Sequence, residues 1–174
     1  MTNSTKNKID NYAVVDLFCG IGGLTHGFVK ENFNVVAGID FDVTCKYAFE
    51  ENNKTIFLHK DITKVTSEEI GKLYPKNCLK ILVGCAPCQP FSVYTNPKKE
   101  KIDDEKWKLL YEFSRVIKDI QPDIVSMENV PQLEKFENGK VLNDFIATLK
   151  TEKYFVTYKI VNAQNYGVPQ RRKR

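Results

Sequence analysis

AVVDLFCGIGG, Ala13–Gly23, is the stretch that decides the reading of the fold. Its first half is an apolar run, and its second half carries three glycines, Gly20, Gly22 and Gly23, ahead of a helix-like stretch. An apolar run without clean alternation suits a strand covered on both faces. Glycine lacks a Cβ and tolerates positive φ, so a strand-to-helix turn built from it lets a ligand approach the backbone closely. Taken alone, such a turn serves equally as a tight turn with no ligand.

Working outward, short apolar runs recur at Val35 to Ile39, Ile56 to Leu58, Ile81 to Val83, Ile124 to Met127 and Phe155 to Val161, and each is predicted to be a strand. The strongest predicted helix spans Glu105 to Ile120, where Leu109, Leu110, Phe113, Val116, Ile117 and Ile120 recur at three- and four-residue steps and Pro122 follows the end. A second spans Val141 to Leu149. Strands alternating with helices predict an α/β fold with a doubly wound, mostly parallel sheet, whose ligands sit beyond the carboxyl ends of its strands.

The chain has 174 residues, 42% hydrophobic and 28% charged, which fits one soluble globular domain with a real core and excludes collagen-like, disordered and disulfide-dense classes. Residues 1 to 11 are polar and expected to be disordered, leaving residues 12 to 174 as a single expected domain. The net charge of +4 is compatible with a polyanionic partner without identifying one. Five scattered cysteines and no apolar signal segment point to a reduced, cytoplasmic protein. The longest apolar runs fall far short of the roughly 20 residues that span a bilayer, so no membrane association is expected.

Three strand ends carry candidate chemistry. Asp40 closes the second predicted strand, twenty positions after Gly20, where an acidic residue would meet the ribose hydroxyls of a nucleotide. Phe41 beside it suits packing on an adenine face or, equally, a place in the core. Asp61, after the third strand, suits accepting from an exocyclic amine or capping the helix that follows. Together these residues describe an adenosine-type cofactor without separating a nicotinamide from a sulfonium donor.

GCAPCQPFS, Gly84 to Ser92, follows the fourth strand. Cys85 and Cys88 have the spacing of a dithiol or half a zinc site, but a metal needs a second ligand pair and His26 and His59 are isolated, so no metal is expected. A redox dithiol would open a helix, whereas Pro87 and Pro90 make this segment a stiff loop. The alternative is a single nucleophilic thiolate on that loop.

DLFCGIGG, PCQPFS, MENVP and NYGVPQRRKR occur in the order and approximate spacing of the DNA cytosine-5 methyltransferases, which the chain resembles from about Val14 to Arg174. The resemblance implies a Rossmann-like methyltransferase fold, incomplete relative to the family, with S-adenosyl-L-methionine as cofactor and double-stranded DNA as substrate. It implies Cys88 as the nucleophile and Glu128 as the carboxylate that, protonated, donates to ring N3 of cytosine from a dry pocket. Arg172 and Arg174 would lie over that pocket, on one side of an extended segment with Gln170, while Arg171 and Lys173 face the other way. For the cofactor the resemblance implies Phe18, Gly20, Gly22, Gly23, Asp40, Phe41, Asp61, Ile62 and Pro87, and for the substrate Gln89, Ser92, Asn129 and Gln170. Asn129 is also expected to order its turn, and Cys85 to be a packed small hydrophobe. Lys98, Lys99 and Lys101 fall where the family has a mobile catalytic loop able to meet phosphates.

The family continues past this stretch with a target-recognition region, further strands and a late helix, so the chain is expected to be a fragment, a truncated product or one subunit whose second polypeptide reads the DNA, as in a restriction-modification system. Weak cofactor binding and negligible specific methylation follow for the chain by itself. A transfer RNA cytosine-5 methyltransferase, an inactive cofactor- or nucleic-acid-binding remnant and a dithiol oxidoreductase are the alternatives at this stage.

Overall fold

The computed structural model describes residues 11–87 and 107–174. They divide into two compact units, the first made of residues 11–83 and Pro122–Ser126, the second of residues 84–87, 107–121 and Met127–Arg174.

The first unit is organised by a sheet of five strands, β1 (Tyr12–Leu17), β2 (Val35–Asp40), β3 (Ile56–His59), β4 (Leu79–Gly84) and β5 (Ile124–Met127), in the order β3-β2-β1-β4-β5. β1 runs parallel to β2 and β2 parallel to β3, with Leu17 opposite Ile39 and Ile39 opposite Leu58. Parallel neighbours need crossover connections. Here α1 (Gly23–Lys30) and α2 (Lys46–Asn53) supply them, and α3 (Ser67–Gly71) follows β3 under a capping box made by Thr66 and Glu69. The strand order reverses between β1 and β4, the position at which open α/β sheets receive ligands.

β1 is the central strand, and Ala13 through Leu17 have no exposed surface, as a strand covered on both faces requires. That expectation fails for β3 and β5, where Ile56 and Ile124 are largely exposed. Both are edge strands with a neighbour on one side only. Val14, Val35, Ile81 and Val83 form one buried cluster against Leu24, Phe28 and Phe33. Cys19, Phe49 and Phe57 form another, with the two rings edge to face at 5.6 Å.

The turn after β1 is tight because three of its residues adopt positive φ, Phe18 at 59°, Gly20 at 50° and Gly22 at 88°. Gly22 is also walled in. A Cβ there would collide with Asn53 Nδ2 and lie 2.7 Å from Phe49 Cδ2. Gly23, the first residue of α1, faces open space.

In the second unit α4 spans Lys108–Ile120 and α5 spans Lys140–Thr151. Residues 105 and 106 of the longer predicted α4 lie outside the described residues. The two helices pack through Phe113 and Phe145, ring centroids 5.8 Å apart. Gln121 ends α4 in the left-handed region, its N–H donating to the Ile117 carbonyl.

The predicted strand from Phe155 to Val161 is not formed. A strand requires a ladder, and among the described residues the ladder reaches only its last residue, where Val161 and Arg174 exchange backbone hydrogen bonds of 2.7 and 2.9 Å. Ala163 N–H donates to the Arg172 carbonyl at 2.8 Å, closing a short antiparallel hairpin around a 3-10 turn at Ala163–Tyr166.

Gly22→Ala is expected to lower the free energy of unfolding by about 2 kcal/mol or more, from backbone strain plus overlap. Gly23→Ala should leave it equal or slightly higher, because an uncrowded helical position gains from the reduced freedom of the unfolded chain. Urea unfolding followed by circular dichroism compares the two.

Candidate active site

In the first unit the glycine turn is held by carboxylates. Asp40, at the end of β2, accepts from Gly20 N–H at 2.8 Å through Oδ2 and from Asp42 N–H at 2.9 Å through Oδ1. It therefore ties the glycine turn to the turn that follows β2. Phe41 is 65% exposed, which removes it from the core, and its carbonyl meets His59 Nε2 at 2.8 Å. A Cβ on Gly20 or Gly23 would meet nothing within 4 Å, so these two glycines present an open face of backbone. Phe18 is half-buried and Gly22 buried.

Asp61 does not cap α3, whose cap is Thr66. Its Oδ1 accepts from the N–H and hydroxyl of Thr63, at 3.0 and 2.8 Å, closing the turn that precedes α3. The Thr63 hydroxyl leads the causes that hold the Asp61 carboxyl below the usual range. Ile62 beside it is buried.

Three buried polar residues around the glycine turn, Asp16, Thr25 and Asn53, escaped the sequence analysis. Asp16 lies wholly inside the sheet, with Oδ2 accepting from the Thr25 hydroxyl at 2.6 Å and Oδ1 buried without a hydrogen-bond partner. Its only sequence signal is an aspartate inside an apolar run. Burial pushes its carboxyl up to about 7, against the opposing effect of the Thr25 hydrogen bonds and with a smaller push from Asp40. Asn53, also buried, donates to the Phe49 carbonyl at 2.9 Å and to the Gly22 carbonyl at 3.4 Å, and its Oδ1 faces His26 Nδ1 at 3.2 Å. Nothing local in the sequence marks it.

In the second unit the residues converge on Glu128. Its N–H donates to the Gly84 carbonyl at 3.1 Å. Arg174 Nε donates to Oε1 at 2.5 Å, and the Cys85 thiol donates to Oε2 at 2.7 Å. The ion pair is partly buried, the Arg174 and Glu128 side chains being 24% and 35% exposed, so it is screened less than a surface pair. Asn129 receives the Val130 N–H on Oδ1 at 2.9 Å and donates to the Ala86 carbonyl at 3.3 Å. Cys85 is thus a hydrogen-bonding group and not a packed hydrophobe.

A cavity of about 180 Å³ lies beside this cluster, with Glu128, Asn129, Leu133, Tyr158, Ile160 and Arg174 in its lining. Lys173 lines a different cavity, with Lys159 and Tyr166. Gln170 and Arg172 are exposed, and neither lines the Glu128 cavity. Pro87 is half-buried. Cys88, Gln89, Ser92, Lys98, Lys99 and Lys101 lie outside the described residues.

The C-5 cytosine-specific DNA methylase family matches residues 12–174. The chain belongs to that family. This methylase chain is 54% identical over 162 residues to the Type II methylase M.HgiDII of Herpetosiphon aurantiacus, covering 93% of the chain and 45% of that relative. With the Type II methyltransferase M.AquIA of a Picosynechococcus strain it shares 32% identity, covering 92% of the chain and 68% of the relative. In fold it is similar to the Dnmt2 methyltransferase of S. pombe, with a TM-score of 0.71 at 19% identity over 93% of this chain and 47% of that one. The methylase chain therefore spans less than half the length of M.HgiDII. Among its described residues no helix is long and apolar enough to cross a membrane.

Asp16 also sets a pH dependence. Its carboxyl titrates at about 7 when folded, against 3.8 for the ordinary group, so between these values the folded chain binds the extra proton and its contribution to stability is lost as pH rises. Stability measured by urea unfolding is expected to decline from pH 5 to pH 8 more steeply than in Asp16→Asn, which has no carboxyl to ionise there. An equal slope in the two proteins excludes this assignment.

Proposed function

We propose that this chain is the catalytic part of a cytoplasmic enzyme that transfers a methyl group from S-adenosyl-L-methionine to carbon 5 of cytosine in double-stranded DNA, as the modification methylase of a restriction-modification system. The observation that carries the reading is the Glu128 carboxylate held between Arg174 and Cys85, in a chain that belongs to the cytosine-5 methylase family.

Carbon 5 of cytosine is a poor nucleophile until something adds at carbon 6. Cys88, as thiolate, would form a bond to carbon 6 and shift the ring electrons towards carbon 5 and N3. Glu128, having taken up a proton, would donate it to N3 and stabilise the negative charge that develops there. Arg174, always protonated, keeps that carboxyl in place and brings a guanidinium to the cavity, where it can meet the base's carbonyl oxygen or a flanking phosphate. After methylation, water or another base would take the proton from carbon 5. The carbon 5–carbon 6 double bond would re-form as the sulfur–carbon 6 bond breaks to release the Cys88 thiolate, and N3 would return its proton to Glu128. A base inside a duplex must first be flipped out of the stack, at a cost of a few kcal/mol.

The first unit suits the methyl donor, whose sulfonium supplies an electrophilic methyl group when bound. Gly20 and Gly23 leave backbone open to close approach, and α1 starts without a side-chain cap, so its first N–H groups are suited to a carboxylate. Exposed Phe41 offers a face for adenine, Asp40 an acceptor for ribose hydroxyls, and Asp61 with Ile62 the edge of the same nucleoside.

The same reading assigns target recognition to the part of the relatives that this chain does not span, whether it is joined to this chain or supplied separately. In support, Phe155, Tyr158, Ile160, Tyr166 and Val168 are all exposed within a fourteen-residue stretch of the second unit.

With labelled S-adenosyl-L-methionine, duplex DNA and this chain completed by that part, methyl transfer is expected, while residues 1–174 by themselves should transfer little. Cys88→Ala should abolish transfer, and Glu128→Gln should reduce kcat by about 10²- to 10⁴-fold. Transfer to transfer RNA in place of duplex DNA would overturn the substrate assignment, and full activity in Cys88→Ala the nucleophile.

A further inference from the structure

We infer that Cys85 is a positioning residue for the Glu128 carboxylate, holding Oε2 until the base arrives and then yielding that oxygen to it; the inference rests on the reading of Glu128 given above. Three successive residues leaving β4 contact the turn after β5. Gly84 accepts from the Glu128 N–H, Ala86 accepts from the Asn129 amide, and between them Cys85 donates to the carboxylate itself. The two flanking contacts fix the turn's backbone and its asparagine. The contact from Cys85 fixes the reacting group.

The two donors on that carboxylate are unequal. Arg174 is charged at every accessible pH and presents a rigid planar donor to Oε1 at 2.5 Å, a charge-assisted bond. The Cys85 thiol, at 2.7 Å from Oε2, is neutral and among the weakest side-chain donors. To reach cytosine N3 the carboxyl must give up one of its partners, and the weaker bond breaks at the smaller cost. Oε2 is therefore the oxygen that meets the base.

This assignment explains why a thiol serves here better than its neighbours in size. An alanine would leave Oε2 without this donor and the carboxylate less constrained in rotation about its terminal bond. A serine hydroxyl is the stronger donor and would hold Oε2 more tightly, against the protonation and release that donation to the base requires. The two substitutions should thus fail in opposite ways.

The test uses this chain completed by the target-recognition part as above and reads kcat and KM for DNA separately. Cys85→Ser is expected to raise KM by about tenfold with kcat within about twofold, whereas Cys85→Ala lowers kcat by about tenfold with KM little changed. A merely structural cysteine predicts parallel losses in both variants, and that result, or no change in either, overturns the inference alone. Wild-type turnover by Glu128→Gln, or no turnover by the unsubstituted protein, instead overturns the reading of Glu128. On the chain by itself, the infrared S–H band that Cys85→Ala removes should move to higher wavenumber in Glu128→Gln, because a neutral amide is the weaker acceptor. An unmoved band also overturns the inference.

Discussion

A carboxylate held at both oxygens is the constraint on which the chemistry of the second unit depends. Glu128 receives Arg174 on one oxygen and Cys85 on the other, and its own N–H is spent on Gly84. Partly buried charge is costly unless paired, and here the pairing also determines direction, because a planar guanidinium and a short thiol side chain leave the carboxyl little freedom to turn. The pairing closes a long loop in the chain. Arg174 comes to the carboxylate through the hairpin that Val161 and Arg174 close by exchanging backbone hydrogen bonds, so a run of basic residues contributes to the candidate site instead of only a solvated face.

The first unit solves a different problem, which is to expose backbone without losing the turn that presents it. Gly22 is pinned by Phe49 and Asn53, whereas Gly20 and Gly23 stay open. The three glycines look alike in sequence, yet one is walled in by its neighbours and two face open space. Beneath them Asp16 brings a carboxyl into the centre of the sheet with one oxygen unpartnered. Its environment stabilises the neutral form, and so the support under the turn is sensitive to proton concentration near neutrality.

The strands were legible as apolar runs, whether buried or at a sheet edge. β1, β2 and β4 carry long apolar runs, and β5 matches its predicted limits, Ile124–Met127. The two longest helices followed from their three- and four-residue spacing, since Phe113, Val116, Ile117 and Ile120 are all buried on α4, whereas α2 and α3 carried no such stripe. Phe155 to Val161 reads like the others and yet forms no strand, because strand propensity is realised only against a partner and the ladder there ends at Val161. Phe41 likewise has core composition and an exposed position. Cys85 misled most, since a cysteine among apolar residues is ordinarily a small hydrophobe and its acceptor lies 43 positions further along.

By itself, the sequence determined the class of fold, the crossover order of strands and helices, the family, and which strand ends carry reactive groups, because periodicity, glycine placement and short motifs are local properties of the chain. Only the tertiary structure decided that burial pushes the Asp16 carboxyl up, that Asn53 locks Gly22, and that Arg174 and Cys85 divide the oxygens of Glu128 between them. Each of these depends on distance and solvent exclusion between residues far apart in the chain, quantities that come into existence only when the chain folds.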